Sequence, residues 1–278
     1  MMCSKKILAA TFACALAVSF EAWAQADGSK DDTYEPAVGQ PGKDVVWVPT
    51  AQTLVDRMLD MAQLTPKDRL VDLGSGDGRL VITAAKRGTT AHGIEFNPSM
   101  VKLSVQAAKA EGVANRATFK QADIFASDFS KATIVTLFLL PELNLRLRPT
   151  LLAMKPGTRV VSNSFDMDDW QPDEVAQVSE GCSTYCVAYK WIIPAKAAGK
   201  WEMEGKELVL RQKFQMLEGT LREGKTTRPI SDARLHGTQI RFSVGKEHYV
   251  GVVNGNEMQG MINHEWLWSA RLVDTTRK

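Results

Sequence analysis

Apolar residues between about residue 45 and residue 197 alternate between short continuous runs and helical spacing. The runs predict strands at 69–73, 90–95, 117–121, 132–138 and 158–162. Helical spacing predicts helices at about 50–63, capped by Thr50, at 80–86, at 98–111, and in a stretch after 138 that Pro149 interrupts. Strands that are apolar on both faces and alternate with helices predict an α/β fold, in which helices cover both sides of a parallel sheet.

The helical period disappears after about residue 199. Alternating runs at 208–214 and 239–244 are typical of antiparallel strands, and Asn254-Gly255 between two further runs is typical of a tight hairpin turn. We therefore predict a first domain at 45–197 and an antiparallel β module of five or six strands at 198–278. Trp266 and Trp268 share one face of a predicted strand, which places both in the core of that module.

The N-terminus has the order of regions that a secretory signal has. Lys5 and Lys6 precede an apolar run at 7–20, and Ala22-Trp23-Ala24 gives a small-x-small cleavage pattern. We predict a signal peptide at 1–24 and hence an exported, periplasmic protein, or a membrane-anchored one if the segment stays uncleaved. Residues 25–44 are polar and rich in glycine and proline, which predicts a flexible lead-in.

The charge of the chain is nearly balanced. Its 278 residues include 34 Lys and Arg against 32 Asp and Glu, a formal net charge of +2. Residues 25–197 carry 19 basic and 21 acidic side chains, whereas 200–278 carry 13 and 10. This balance argues against a protein whose main work is to grip a nucleic-acid backbone, so we expect no nucleic-acid partner.

Two cysteines, Cys182 and Cys186, remain after the predicted cleavage. Across a tight hairpin turn their sulfur atoms could meet, but along one straight strand they could not, being about 13 Å apart. An exported protein favours a disulfide. No second Cys or His pair lies at metal-ligand spacing, and the C-x-x-x-C spacing differs from that of a redox pair, so we assign no metal.

A glycine-rich turn follows the first predicted strand of the sheet. Gly74, Gly76 and Gly78 stand at a spacing of two, between that strand and a helix start, where backbone N–H groups can approach a ligand closely. Arg79 occupies the position where a dinucleotide fingerprint needs a small residue, which disfavours NAD. The turn predicts a nucleotide crevice outside the carboxyl ends of the strands.

Carboxylates stand at the ends of three successive strands of this predicted sheet. Asp72 ends the first strand and could balance a ligand ammonium, while Glu95 ends the second and could accept both hydroxyls of a ribose. Asp123 follows the third and could accept from an adenine amine. Each acid alone would be read as a cap or a solvated loop residue, but the three together with the glycine turn predict a nucleoside site.

With these motifs, residues 45–197 resemble a class I S-adenosylmethionine-dependent methyltransferase. The subgroup that they resemble comprises protein-lysine methyltransferases that in mitochondria modify the adenine-nucleotide carrier and an ATP-synthase rotor subunit. Segments 48–50 and 136–146 carry that finer resemblance. The cofactor implied is S-adenosyl-L-methionine, and the residues implied to bind it are Asp72, Gly74, Ser75, Gly76, Gly78, Glu95, Phe96, Asp123 and Ile124.

The resemblance also implies a fold and an acceptor. The fold is a Rossmann-like seven-stranded sheet whose last strand is antiparallel, with 182–186 as the turn of the final strand pair, which supports the disulfide. The acceptor is an amine of a protein or of a small molecule. For a lysine, Glu142 is the candidate to receive and orient the amine, or else a first-turn helix acid, and Asn144 is its hydrogen-bonding neighbour.

Two alternatives to a protein-amine methyltransferase stay open. The chain could be an exported, non-catalytic binding protein that keeps the fold and recognises an envelope partner through its β module. It could also be a small-molecule methyltransferase. The acidic segment 165–170, which follows the fifth strand, could face a cationic substrate or be a solvated loop anchored by Trp170. Trp47 could cover the cofactor or simply pack.

Overall fold

A computed structural model of the protein describes residues 34–274. The predicted signal peptide, 1–24, and residues 25–33 of the predicted lead-in lie outside the described residues. From Glu35 onward the described chain forms one compact unit that contains two sheets. No helix in this part of the chain is long and apolar enough to span a bilayer.

The first sheet has seven strands in the order β3-β2-β1-β4-β5-β7-β6. Strands β1 to β5 are parallel, and β7 runs antiparallel between β5 and β6, as the resemblance implied. This confirms the predicted α/β class. Its elements are α1 (Gln52–Met61), β1 (Arg69–Leu73), α2 (Arg79–Lys86), β2 (Thr90–Glu95), α3 (Pro98–Ala110), β3 (Ala117–Gln121), β4 (Ile134–Leu137), α4 (Pro141–Leu152), β5 (Arg159–Asn163), β6 (Glu174–Gln177) and β7 (Val187–Ile192).

Helices cover both faces of this sheet. Buried residues of α1, α2 and α3 form one core with the sheet, and buried residues of α4 form a second core on the opposite face. Two local predictions were wrong. Thr50 does not cap α1, because its hydroxyl instead accepts a hydrogen bond from Asn163 at 3.1 Å. Pro149 does not interrupt α4, which continues through it to Leu152.

The C-terminal β domain has nine strands, more than the five or six that we predicted. They run in the order β11-β10-β12-β13-β14-β15-β16-β8-β9, and an additional β9–β10 pairing closes the sheet on itself. The strands are β8 (Gly199–Met203), β9 (Lys206–Lys213), β10 (Met216–Glu223), β11 (Thr226–Pro229), β12 (Ser231–His236), β13 (Gln239–Val244), β14 (Glu247–Asn254), β15 (Glu257–Ile262) and β16 (Trp266–Asp274).

Apolar side chains fill the inside of the closed sheet. Trp201, Phe242, Tyr249 and Trp268 are buried there, and the ring centroids of Phe242 and Tyr249 stack at 4.6 Å. Trp268 therefore lies in the core as predicted. Trp266 does not, since it stands at the start of β16 and is 68% exposed.

The turn between β9 and β10 packs on the first sheet. The described connection from β5 to β6 contains no helix, and Trp170 of that connection stacks on Phe214 of the turn at 5.6 Å. The Trp170 indole also donates to Gln215 Oε1 at 3.0 Å, and Gln215 Nε2 donates to the Gln171 carbonyl at 2.7 Å. The β domain thus supports the connection that follows β5.

Candidate functional site

The glycine turn leaves β1 at the edge where the parallel strands end. The amide of Gly74 donates to the Ile94 carbonyl at 2.8 Å, and the amide of Gly76 donates to Glu95 Oε2 at 2.9 Å. Gly78 has a φ of 81° and immediately precedes α2. A Cβ on Gly78 would lie 2.8 Å from Ser104 Cβ, so only glycine fits there without displacement. The turn is therefore fixed against β2 and α3.

Glu95 is held in place by two backbone donors. Besides the Gly76 amide at Oε2, the Asn97 amide donates to its Oε1 at 2.9 Å. Each carboxylate oxygen keeps a further lone pair, which is what the two hydroxyls of a ribose need. Asn97 itself caps α3 by accepting from the Ser99 amide at 2.9 Å.

Asp72 is a buried carboxylate, and no cation among the described residues forms an ion pair with it. Thr136 Oγ1 donates to its Oδ1 at 2.6 Å. Burial, together with the charges of Glu95 and Asp77, raises the pKa of Asp72 to about 7 against the opposing hydrogen bond from Thr136. A buried carboxylate with these surroundings favours a cationic ligand beside it.

Residues 37–50, here called the strap, lie against the glycine turn. The Gly39 amide donates to the Trp47 carbonyl at 2.8 Å, the Trp47 amide donates to the Gln40 carbonyl at 2.9 Å, and Pro41 and Val46 form an antiparallel bridge. A Cβ on Gly76 would lie 2.7 Å from Trp47 Nε1. We predicted a flexible lead-in up to residue 44, but from residue 37 onward the structure has this hydrogen-bonded hairpin, because the strap packs on the turn.

Asp123 receives its strongest contact from the strap. Lys43 Nζ donates to Asp123 Oδ2 at 2.6 Å and lies 5.0 Å from the ring centroid of Phe96. Asp123 Oδ1 accepts from the Phe125 amide at 2.8 Å and caps a short 3-10 helix that starts at Ile124. The Lys43 hydrogen bond, the Phe125 amide and the Lys43 charge hold the pKa of Asp123 below its usual range.

A cavity of about 490 Å³ lies between the glycine turn, the strap and the ends of β4 and β5. This volume suits a small-molecule ligand. Of the nine residues predicted to bind the cofactor, eight line the cavity: Asp72, Gly74, Ser75, Gly76, Glu95, Phe96, Asp123 and Ile124. The ninth, Gly78, shapes the glycine turn and does not line the cavity.

The structure places neither of the predicted catalytic residues in the cavity lining. Glu142 is exposed in the first turn of α4, two residues after Leu140, which does line the cavity. Asn144 is completely buried, and its Nδ2 donates to the carbonyls of Phe165 and Asp166, both at 3.1 Å. Asn144 lies two positions after Glu142, which on a helix turns its side chain to the opposite, inward side of α4. It therefore holds the segment after β5 and has no direct access to a ligand.

Three aromatic side chains line one end of the cavity. They are Phe138 after β4, Phe165 after β5, and Tyr185 in the turn between β6 and β7. None was among the predicted site residues, although Phe165 lies in the segment 165–170 that we predicted could face a cationic substrate. The Phe138 ring centroid lies 5.3 Å from that of Tyr185 and 6.3 Å from that of Phe165. Each follows a strand that ends at the same edge as the glycine turn, which is the signal that could have identified them.

The loop that carries Tyr185 is closed by a disulfide between Cys182 and Cys186, whose Cα atoms are 5.8 Å apart. This is the disulfide that the hairpin arrangement favoured. The acidic segment after β5, for which we predicted either substrate contact or a solvated loop, is partly a structural anchor. Its Asp169 pairs with Arg148 at 2.6 Å and with Lys213 at 3.1 Å.

The residues present fit S-adenosylmethionine. The buried Asp72 carboxylate suits the amino group, Glu95 suits the ribose, and Phe96 and Ile124 beside Asp123 suit the adenine. Ser75 Oγ is buried in the cavity wall and has no hydrogen-bond partner among the described residues. When bound there, the cofactor would supply an activated methyl group on a sulfonium.

Comparisons with known proteins agree with this site. The family model of the ANTKMT methyltransferase domain matches residues 72–174. A protein-lysine N-methyltransferase of Saccharolobus islandicus is 41% identical over 152 residues, which are 54% of this chain and 94% of that protein. The adenine nucleotide translocase lysine N-methyltransferase of Mus musculus is 35% identical over 139 residues, 49% of this chain and 59% of that protein.

Among solved structures, one from Salinibacter ruber is similar to this chain. It is described as an RNA methyltransferase in complex with S-adenosyl-L-homocysteine, is 45% identical, has a TM-score of 0.51, and is matched over 54% of this chain and 96% of its own. Residues 72–174, which the family model matches, hold the glycine turn and the carboxylates Asp72, Glu95 and Asp123. The chain therefore belongs to the S-adenosylmethionine-dependent methyltransferase family that includes the Saccharolobus islandicus protein-lysine N-methyltransferase.

Proposed function

We propose that this enzyme transfers a methyl group from S-adenosylmethionine to the side-chain amine of a lysine in a protein. The observation that carries the proposal is the electrostatic character of the cavity. Two cationic side chains line the cavity, and each forms an ion pair at 2.6 Å: Lys43 with Asp123, and Arg79 with Asp77. The lining therefore offers no unpaired cation to repel an ammonium, and the relatives that are named for lysine methylation support the same acceptor.

Lysine must lose a proton before its nitrogen can attack a methyl group, because its ordinary pKa is about 10.4. Apolar surroundings disfavour the charged amine and lower its pKa. The apolar residues Leu139, Leu140 and Leu143 supply such surroundings. The enzyme's own residues then need only to align the amine with the donor in a site from which water is excluded.

RNA is the alternative acceptor to test, since the Salinibacter ruber relative is described as an RNA methyltransferase. The charge of residues 25–197, with 19 basic and 21 acidic side chains, disfavours a polyanion. A small amine is the other alternative. The small volume of the site does not separate these acceptors, so the test must offer all of them.

The test incubates the purified protein and isotope-labelled S-adenosylmethionine with three acceptors in parallel. These are a library of unstructured peptides with one central lysine, total RNA, and a panel of free amines and phenols. We expect labelled methyl-lysine after acid hydrolysis of the peptides, and its loss in Glu95→Gln. Label in RNA or in small molecules alone would overturn the proposed acceptor.

We further propose that the protein acts after export and that its β domain binds an envelope partner. The signal-like segment at 1–24 and a disulfide, which persists in oxidising compartments, support export. The N-terminal sequence of the mature protein from a periplasmic extract tests export, since a chain that still begins at Met1 in the cytoplasm would contradict it. Cross-linking of the full chain in envelope fractions tests the partner.

A further inference from the structure

Three segments that are distant in the sequence bring aromatic rings to one end of the cavity. The rings of Phe138, Phe165 and Tyr185 form a continuous wall, in which the closest centroids are those of Phe138 and Tyr185, 5.3 Å apart, and those of Phe165 and Tyr185, 5.9 Å apart. Tyr185 is 42% exposed. Because Tyr185 also lines the cavity, its ring is accessible to a ligand there.

The backbone at Tyr185 is held in an uncommon conformation. Its φ is 58°, in the left-handed region that residues other than glycine seldom adopt. The Cys182–Cys186 disulfide closes the ring of five residues in which Tyr185 lies. On the other side, a Cβ on Gly181 would lie 2.9 Å from Thr53 Cγ2, so the loop also rests on α1. Such conformations persist where the surroundings determine them, and they concentrate at binding sites.

The second ring of the wall is held just as firmly. Phe165 belongs to the connection after β5, and its carbonyl accepts from Asn144 at 3.1 Å. The Ser164 amide donates to the Val187 carbonyl at 2.7 Å, which ties this connection to the strand that follows the disulfide loop. The protein therefore holds the backbone of both aromatic residues at this end of the cavity, which lowers the entropic cost of binding a flexible side chain.

We infer that Tyr185, set in place by the Cys182–Cys186 disulfide, is a specificity-determining residue that completes an aromatic wall for the ammonium of the acceptor. The inference rests on the proposed function and names the surface that selects its substrate. An alkylammonium is attracted to the faces of aromatic rings, and a neutral or anionic acceptor is not. Asp166, exposed beside Phe165, adds attraction for a cation at this end.

The test compares three variants of the full protein with the lysine peptide that wild type methylates best. Tyr185→Leu keeps an apolar side chain without a ring and should raise the KM for the peptide about 5-fold. Tyr185→Phe keeps the ring and should leave that KM near the wild-type value. Cys182→Ser with Cys186→Ser should raise the KM similarly, while the Kd for S-adenosylhomocysteine, which reports an intact fold, stays unchanged in all three.

A double-mutant cycle shows whether the disulfide acts through the tyrosine. If it does, the two serine substitutions should have little further effect on the peptide KM once Tyr185 is leucine. An unchanged KM in Tyr185→Leu, or serine effects that simply add to it, would overturn the inference while the wild-type activity still supports the proposed function. A wild type that methylates no lysine peptide would overturn both.

Discussion

Two buried aspartates near opposite ends of β1 should respond to the same substitution with opposite changes in stability. Asp68 precedes the strand, and Asp72 lies in it beside the cavity. Asp68 forms an ion pair with Arg159 and accepts from Thr65 and Thr133. Asp72 accepts from Thr136 and has no cationic partner among the described residues. Asp72→Asn and Asp68→Asn are therefore a matched pair of isosteric changes.

The expected magnitude follows from the pKa of each carboxyl. Burial raises the pKa of Asp72 from 3.8 to about 7, so the folded protein binds more protons than the unfolded chain between those two pH values. The free energy of unfolding therefore falls as the pH rises through that window. Three pKa units at roughly 1.4 kcal/mol each correspond to about 4 kcal/mol, which is fully lost above pH 7. Asparagine at position 72 does not ionise, so the Asp72→Asn protein does not lose this stability as the pH rises.

The pKa of Asp68 is shifted in the opposite direction, so its effect on stability has the opposite sign. Burial alone would raise its pKa, but the hydrogen bonds from Thr133 and Thr65 and the charge of Arg159 outweigh burial and hold the pKa below 3.8. Its contribution to stability is present above the pKa of the unfolded chain and is lost only as the pH falls through the folded pKa. Asp68→Asn leaves the Arg159 charge without its partner and should cost about 3 kcal/mol at neutral pH.

Urea unfolding of the ligand-free protein between pH 5 and pH 8 measures both effects. Asp72→Asn should become more stable relative to wild type as the pH rises, with a difference that levels off above pH 7. Asp68→Asn should be less stable by a nearly constant amount over this range. A difference between Asp72→Asn and wild type that does not change with pH would refute the reasoning, as would a less stable Asp72→Asn at pH 8.

Three further predictions concern the same surfaces. Calorimetry should find that S-adenosylhomocysteine binds more weakly below pH 7, because protonated Asp72 no longer attracts its amino group; a flat profile from pH 6 to pH 8 would contradict this. Gly78→Ala, at a φ of 81° and with its Cβ against Ser104, should lower the free energy of unfolding by about 1–3 kcal/mol, measured in urea. Gln215→Leu leaves the buried Trp170 N–H unpaired and should cost about 1–3 kcal/mol in the same assay, whereas an unchanged stability would show that the β domain does not support this segment.

Residues that follow strand ends were predictable from the sequence. Strand type came from short apolar runs, and parallel strands place their carboxyl ends at one edge, so Asp72, Glu95 and Asp123 could be assigned to one site before any contact was known. The glycine turn was predictable because closely spaced glycines after a strand are typical of backbone with a positive φ. Gly74 and Gly78 do have a positive φ in the structure.

Residues whose role depends on contacts across the fold were not predictable. Asn144 has the residue type of a catalytic group, but the angle between successive helix positions turns it into the core. The part of the strap up to Asp44 contains Gly39, Pro41 and Gly42, which led us to predict flexibility. Its order comes from packing of Trp47 on Gly76, which no local pattern encodes. Trp266 follows the strand period, yet it is the first residue of β16 and stays exposed.

The measurement that tests the central claim most directly is binding of S-adenosylhomocysteine to the purified protein. The increase in the free energy of unfolding that the ligand causes reports this binding. At a concentration 100 times Kd, the ligand should stabilise wild type by about 2.7 kcal/mol. The gain should disappear in Asp72→Asn and in Glu95→Gln, both of which keep the shape of the site. No stabilisation of folded wild type, or an equal gain in both variants, would contradict the assignment of this cavity to the methyl donor.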